Sequence, residues 1–233
     1  VSLTTPKNLT KTLRKTAFFA VLAIIGLRSA SAQASITNQN LDSLLNAVDH
    51  HYDSLRSFRT NFEEIYRAEG VNRVESGTLW LKRGGKMRWE YTEPQPKLFV
   101  TDGHEAYFYA SGDAEAQKSN LKQLDDLRSP LRYLLGKTRL RKEFDDLTII
   151  AQEDEECTLQ GIPRGMNDRV ASVEFQITKG SDISAITIHG SDGSVTEFHF
   201  SNMASNPPVN DDMFRFIPPP GVQVVNSGEI LQP

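Results

Sequence analysis

Gly77-Thr78-Leu79-Trp80-Leu81-Lys82-Arg83-Gly84-Gly85-Lys86-Met87-Arg88-Trp89-Glu90-Tyr91 holds two runs of β-forming residues on either side of a tight Gly-Gly turn. That is a hairpin pattern, with Arg83 standing just before the glycines and aromatic residues along both arms. Upstream, Phe58, Thr60, Phe62, Glu64 and Tyr66 alternate with Arg59, Asn61, Glu63 and Ile65. Period two marks a strand with one more apolar face. Downstream, strand patterns over 97–101 and 104–110 are joined by Asp102-Gly103, a strong hairpin signal. Further strand patterns cover 147–152, 157–161, 170–179, 183–190, 194–203 and 222–225. Ser191-Asp192-Gly193-Ser194 marks another hairpin, and Glu153-Asp154-Glu155-Glu156 reads as a solvated turn.

Two segments carry helical spacing instead. Leu41, Leu44, Leu45, Val48, Tyr52 and Leu55 form one apolar stripe, with Asn38 or Asn40 as cap and Asp42, Asn46, Asp49 and Asp53 on the opposite face. Over 119–136, Leu121, Leu124 and Leu127 lead to Ser129-Pro130, a fresh cap and first-turn proline. Leu131, Leu134 and Leu135 follow, with Gly136 as C-cap. A third short helical piece is expected over 139–145. The prolines at 207–208 and 218–220 break regular structure near the end. About eleven hairpin-connected strands and two or three amphipathic helices predict an α+β fold. The architecture expected is one large antiparallel sheet with helices against a single face, long enough to curl strongly into an open or nearly closed barrel.

The first 32 residues read as a cleavable signal peptide. Lys7, Lys11, Arg14 and Lys15 form a basic region, Ala17 to Leu27 an apolar run of eleven residues, and Ala30-Ser31-Ala32 a small-residue cleavage site. Eleven residues are too few for a helix to cross a bilayer about 30 Å thick. Cleavage after Ala32 is preferred and Ala34 is the second choice, which leaves residues 33–233 as one domain. Removing 1–32 takes away five basic residues and no acidic one, leaving 21 Lys and Arg against 30 Asp and Glu. An acidic domain repels phosphate backbones, so no nucleic acid is expected as a partner. No Cys follows the apolar run, so the leader is not of the lipoprotein kind. Cys157 has no second cysteine to pair with and is expected to be a buried or half-buried strand residue.

Catalytic patterns are absent from the sequence: it has no GxSxG elbow, P-loop, HExxH or GxGxxG. The five histidines, His50, His51, His104, His189 and His199, lack metal-ligand spacing, and His50 and His51 are expected to face solvent. Asp125-Asp126 and Asp145-Asp146 suit exposed faces and caps better than an acid–base pair. No catalytic residue, metal or cofactor is expected. The surplus is apolar: Trp80, Met87, Trp89, Phe99, Tyr107, Phe108 and Tyr109 crowd into thirty residues, with the leucines of 121–135 to face them. Two readings stay open on these residues, an ordinary closed core or a lipid-holding cavity between sheet and helices.

Taken in order, the motifs resemble those of the LolA-type periplasmic outer-membrane lipoprotein carriers. The resemblance runs from about 41 to 226 and rests on Leu79-Trp80-Leu81-Lys82-Arg83, Arg88-Trp89 before Tyr91, Pro94 and Val100-Thr101-Asp102-Gly103. It continues through Phe108-Tyr109, Ser129-Pro130-Leu131, Phe198-His199-Phe200-Ser201-Asn202 and Phe214-Arg215-Phe216 before Pro218-Pro219. It implies an incomplete eleven-stranded barrel lidded by helices, with an acyl-binding cavity beneath. That cavity would be lined by Phe62, Leu79, Leu81, Met87, Trp89, Phe99, Leu131, Leu134 and Leu135. Arg83 would latch the lid, although Gly84 replaces the proline that usually follows it, and Met87 stands where a Phe is usual. The implied role is a non-enzymatic periplasmic chaperone, a monomer. It would take acylated lipoproteins from an inner-membrane ABC exporter to an outer-membrane acceptor lipoprotein. The alternative is a lipid-sensing regulatory or other lipid-binding module on the same fold.

Overall fold

The computed structural model describes residues 40–120 and 139–227. The chain divides into two compact units, Val1–Ser43 and Leu44–Pro233. Of the first, only 40–43 fall among the described residues, and these are helical. The leader assigned to 1–32 lies outside them, as do residues 121–136 of the helices expected over 119–136; Ser119 and Asn120 are not helical but end a strand.

The helix α1 is described over 40–54; of the six-residue stripe read from its spacing, Leu45, Val48 and Tyr52 are buried in it and Leu55 just beyond its end, while Leu41 and Leu44 are half-buried. It is already helical at Asn40, so Asn40 does not cap it. Two polar residues depart from expectation. Asp49 is buried rather than solvent-facing, and its carboxylate accepts from the Leu140 N–H at 3.1 Å. His51 is half-buried and pairs with Asp182 at 3.0 Å. Asp49 thereby supplies an acceptor to the first turn of the short helix α2, Leu140–Glu143, which no side chain of its own caps. The helical piece expected over 139–145 is thus shorter, because Phe144 already begins a strand.

Among the described residues twelve strands make one sheet. They are β1 Ser57–Ala68, β2 Val71–Lys82, β3 Lys86–Glu93, β4 Lys97–Asp102, β5 Glu105–Ala110, β6 Glu115–Asn120, β7 Phe144–Gln152, β8 Glu156–Pro163, β9 Val170–Thr178, β10 Ile183–Gly190, β11 Val195–Ser205 and β12 Gln223–Asn226. Their order is β12-β6-β5-β4-β3-β2-β1-β11-β10-β9-β8-β7, so the sheet is not closed and β12 and β7 form its edges. Two antiparallel meanders, β1–β6 and β7–β11, meet where β1 pairs with β11. Two features differ from the sequence reading. The twelfth strand is β6, whose Glu115-Ala116-Gln117-Lys118 favours helix locally. Pairing with β5 and burial of Ala116 and Ser119 override that preference. The second is that β12 runs parallel to β6, so the sheet is not wholly antiparallel. Edge strand β7 carries two register irregularities, a common way to blunt a free edge.

Register assigns the faces. Phe58, Thr60, Phe62 and Glu64 lie opposite Leu81, Leu79, Gly77 and Glu75. Those in turn lie opposite Met87, Trp89 and Tyr91, and then Thr101, Phe99 and Lys97. This first face continues through Phe198, Ile186, Phe175 and Leu159 in the other meander. The second face carries Arg59, Trp80, Arg88, Val100 and Tyr107 in one cross-strand row. A C-terminal strap covers part of it. Lys82 and Lys86 reach Asp211 at 2.6 Å each, and hold its carboxyl down to about 2. Arg88 Nη1 donates to the Met213 carbonyl, Phe214 is buried, and Phe216 stacks on Tyr107 at 5.1 Å. That cover explains why Val100, on the outer row, is fully buried.

Gly77 is the tightest point of the first face. A Cβ there would lie 1.9 Å from the Glu90 carbonyl oxygen, which is backbone and cannot step aside. Gly77→Ala is therefore expected to destabilise the fold by about 1–3 kcal/mol. Urea unfolding should show a lower midpoint with an unchanged slope.

Candidate functional site

The hairpin β2–β3 and its neighbours build a dense aromatic cluster on the first face. Phe62 packs edge-on to Trp89 at 5.1 Å and to Tyr91 at 4.8 Å. Trp89 also meets Phe198 at 5.6 Å, and Phe198 stacks on Phe200 at 6.4 Å. Leu79, Leu81 and Phe99 complete the patch and are buried, and Met87 beside them is half-buried. Each such side chain withdrawn from water contributes about 1.5–3 kcal/mol. Six of the nine residues assigned to the cavity, Phe62, Leu79, Leu81, Met87, Trp89 and Phe99, thus share one face. Leu131, Leu134 and Leu135 lie outside the described residues. The aromatic crowd of the sequence is split, however. Phe108 lies opposite Phe99 on the first face, whereas Trp80, Tyr107 and Tyr109 belong to the second. Strand alternation sends neighbours such as Trp80 and Leu81 to opposite sides. On the second face the Arg59 guanidinium covers Trp80 at 5.5 Å, and Tyr109 lies 6.2 Å from Phe216.

At one end the apolar patch gives way to a buried charge network. Glu64 and Glu75 face each other across β1 and β2, an arrangement that like charges resist. Cations relieve it. Lys97 lies 2.8 Å and Arg73 3.0 Å from the Glu75 carboxylate. The Tyr91 hydroxyl donates to Glu64 at 2.6 Å, and the Lys97 ammonium sits 4.2 Å over the Tyr91 ring. Burial pushes the Glu64 carboxyl above its ordinary value despite the Tyr91 hydrogen bond, with the Glu75 charge acting in the same direction. Burial likewise pushes the Tyr91 hydroxyl up, aided by the Glu64 charge. Sequence reasoning did not single out this network. Its one legible sign was Glu64 in phase with Phe58, Thr60 and Phe62.

Arg83 occupies the three-residue turn between β2 and β3, where Gly84 and Gly85 take positive φ angles of 92° and 78°. Only glycine adopts these without strain, which lets Arg83 leave the strand and turn toward the end of α1. Its Nε donates to the Leu55 carbonyl at 2.8 Å, and its Nη2 to the Asp53 carbonyl. Its backbone N–H donates to the Arg56 carbonyl at 3.0 Å. The last carbonyls of a helix have no partner within it and carry the negative end of its dipole. One guanidinium, with donors in a fixed fork, satisfies two in this stretch at once.

Among the described residues no three His, Cys, Asp or Glu side chains gather as metal ligands would. No helix among them is long and apolar enough to cross a membrane. Cys157 is half-buried on β8, and its thiol is pushed up by burial.

The family model described as "Outer membrane lipoprotein carrier protein LolA" matches residues 53–217. The outer-membrane lipoprotein carrier protein of Nitrosomonas europaea is 28% identical over 173 residues, spanning 72% of this chain and 82% of that protein. Its counterpart in Dechloromonas aromatica is 30% identical over 186 residues, spanning 77% and 87%. Among solved structures, the lipoprotein LppX of Mycobacterium tuberculosis superposes with a TM-score of 0.47 at 14% identity, covering 75% of this chain and 99% of that one. A LolA superfamily protein of Nitrosomonas europaea gives 0.43 at 12%, covering 75% and 97%.

The Glu64 environment has a measurable consequence. A carboxyl whose pKa rises on folding binds its proton more tightly in the folded chain than in the unfolded one. Its contribution is therefore most favourable below the ordinary value of 4.5 and is lost as pH climbs through the raised folded value. Glu64→Gln keeps an acceptor for the Tyr91 hydroxyl and removes the titration. The stability of the variant relative to the parent should rise with pH above about 4.5 and then level off, as read by urea unfolding across that range.

Proposed function

The chain belongs to the LolA family of outer-membrane lipoprotein carrier proteins, and on that premise we propose that it binds the acyl chains of lipoproteins and carries them to the outer membrane. The family is one of carriers, not enzymes. The observation that carries the reading beyond family membership is the apolar first face beside a turn whose Arg83 grips the end of α1. In this proposal the face lines a cavity of an incomplete barrel, with Phe62, Leu79, Leu81, Met87, Trp89 and Phe99 on the sheet side. Leu131, Leu134 and Leu135 complete the proposed lining. Residues 1–32 are the leader that sends the chain to the periplasm, where residues 33–233 act as one domain. The chain accepts cargo from an inner-membrane ABC exporter and yields it to an outer-membrane acceptor lipoprotein.

Magnitudes favour such a design. Each buried CH₂ is worth about 0.8 kcal/mol, so a long acyl chain resists entering water by roughly 10 kcal/mol or more. A carrier must cover that surface and still surrender it. Bonds that hold the empty form together compete with the ligand and lower net affinity, which suits release to a stronger acceptor. In this reading Arg83 is such a bond, since its guanidinium donates to the carbonyls of Asp53 and Leu55 at the end of α1.

Native mass spectrometry after co-expression with a triacylated lipoprotein tests the carrier reading. A one-to-one complex that dissociates in detergent is the expected result. Empty protein alone, with abundant cargo in the same cells, would sink it. Arg83→Ala removes the latch without touching the apolar face. It should lower the melting temperature of the empty protein while slowing release of bound lipoprotein, with affinity rising about three- to tenfold. Lower melting with unchanged release would reduce Arg83 to a structural tie.

A further inference from the structure

Trp89 is 2% exposed, and its indole Nε1–H has no hydrogen-bond partner among the described residues. Buried donors are nearly always paired, so this one calls for a reason. The indole lies among rings, with Phe62, Tyr91 and Phe198 around it. The nearby hydroxyls are already engaged. Thr60, two strands away along the cross-strand row through Leu79, donates to backbone carbonyls of β1 and β11, Tyr91 donates to Glu64, and neither oxygen accepts from the indole. A lone water would find few polar partners beside it. The donor is therefore spare, dry and set in the apolar face assigned above to acyl chains.

Hydrocarbon cannot use an N–H donor. The polar group that enters such a site with an acyl chain is the carbonyl that joins the chain to its head, an ester on glycerol or an amide on an N-terminal amine. We propose that the Trp89 indole N–H donates to an acyl carbonyl of the cargo, fixing how far the chains slide along the first face. This rests on the carrier reading and deepens it. The aromatic patch supplies affinity for chain length, and the indole reads the junction where chain ends and head begins. The empty protein bears the cost of an unpaired donor, and the correct ligand removes it. An interaction made only with an acceptor in place gives selectivity that apolar packing cannot.

Trp80 and Trp89 are the only tryptophans, so the indole N–H region of a ¹⁵N-correlated spectrum holds two signals. Trp80 lies on the second face under Arg59 and serves as an internal reference. Three probes separate the possibilities: dimyristoylglycerol with ester carbonyls, the matching dialkyl ether without them, and N-myristoyl cysteinamide with an amide carbonyl. Native mass spectrometry measures binding of each alongside the spectra. The expected result is a downfield move of the Trp89 signal with a carbonyl-bearing probe, absent with the ether, and binding about five- to tenfold tighter than the ether. A response to the ester alone assigns the donor to the glyceryl chains, and a response to the amide alone assigns it to the N-acyl chain. Trp89→Phe should erase the preference over the ether whatever it does to affinity overall, because the ratio cancels lost packing. Equal binding and equal shifts with ether and ester would overturn the proposal and leave the carrier reading intact. No binding by any probe, nor by the lipoprotein, would remove both.

Discussion

Strand β1 is hydrogen-bonded on both sides, to β2 and to β11, and its register is the constraint on which the molecule depends. It joins two meanders that would otherwise be separate sheets. Because side chains alternate, a slip of one residue would send Phe58, Thr60, Phe62 and Glu64 to the other face. Several features hold the register. Gly77 opposite Phe62 leaves room for the rings of Phe62 and Tyr91 to meet. The Tyr91 hydroxyl bonds Glu64 only in this alignment. Thr60 bonds the Ser201 carbonyl across the β11 seam.

With that register set, the two faces have different chemistry. The first face is apolar through its centre and ends in Glu64, Glu75, Arg73 and Lys97. A buried pair of carboxylates is tolerable only because two cations and a phenol stand among them. The second face is wetter and is closed locally by the strap, where two lysines and one aspartate fix the chain and Phe216 covers the tyrosines. Charge therefore organises the boundary of each face, while packing decides its centre. A carrier needs that division, since its apolar surface must be reachable by cargo yet hidden from other apolar surfaces.

Much of the sheet was legible because alternation is a local property. The arms of the Gly84-Gly85 hairpin, the turn after Asp102 and the turn at Ser191-Asp192-Gly193-Ser194 appear where the residues place them. The buried part of the α1 stripe did too, but Asp49, assigned to the polar face, is buried because Leu140 N–H and Arg139 approach it from a distant part of the chain. Strand β6 was hidden for the opposite reason. Its residues favour helix, and only β5 on one side and β12 on the other make it a strand. The aromatic crowd over 80–109 looked like one cluster in sequence and is two in space.

The sequence by itself determined the strand-rich plan, the hairpin turns, the spacing of the first helix and the motif order that places the chain in its family. Those are set by residues within a few positions of each other, where backbone preference and alternation act directly. Only the tertiary structure decided which strands lie side by side, that β12 runs parallel, that Glu64 meets Tyr91, and that the Trp89 indole stands unpaired. These depend on groups far apart in the chain, and their energies exist only once the sheet has brought them into contact.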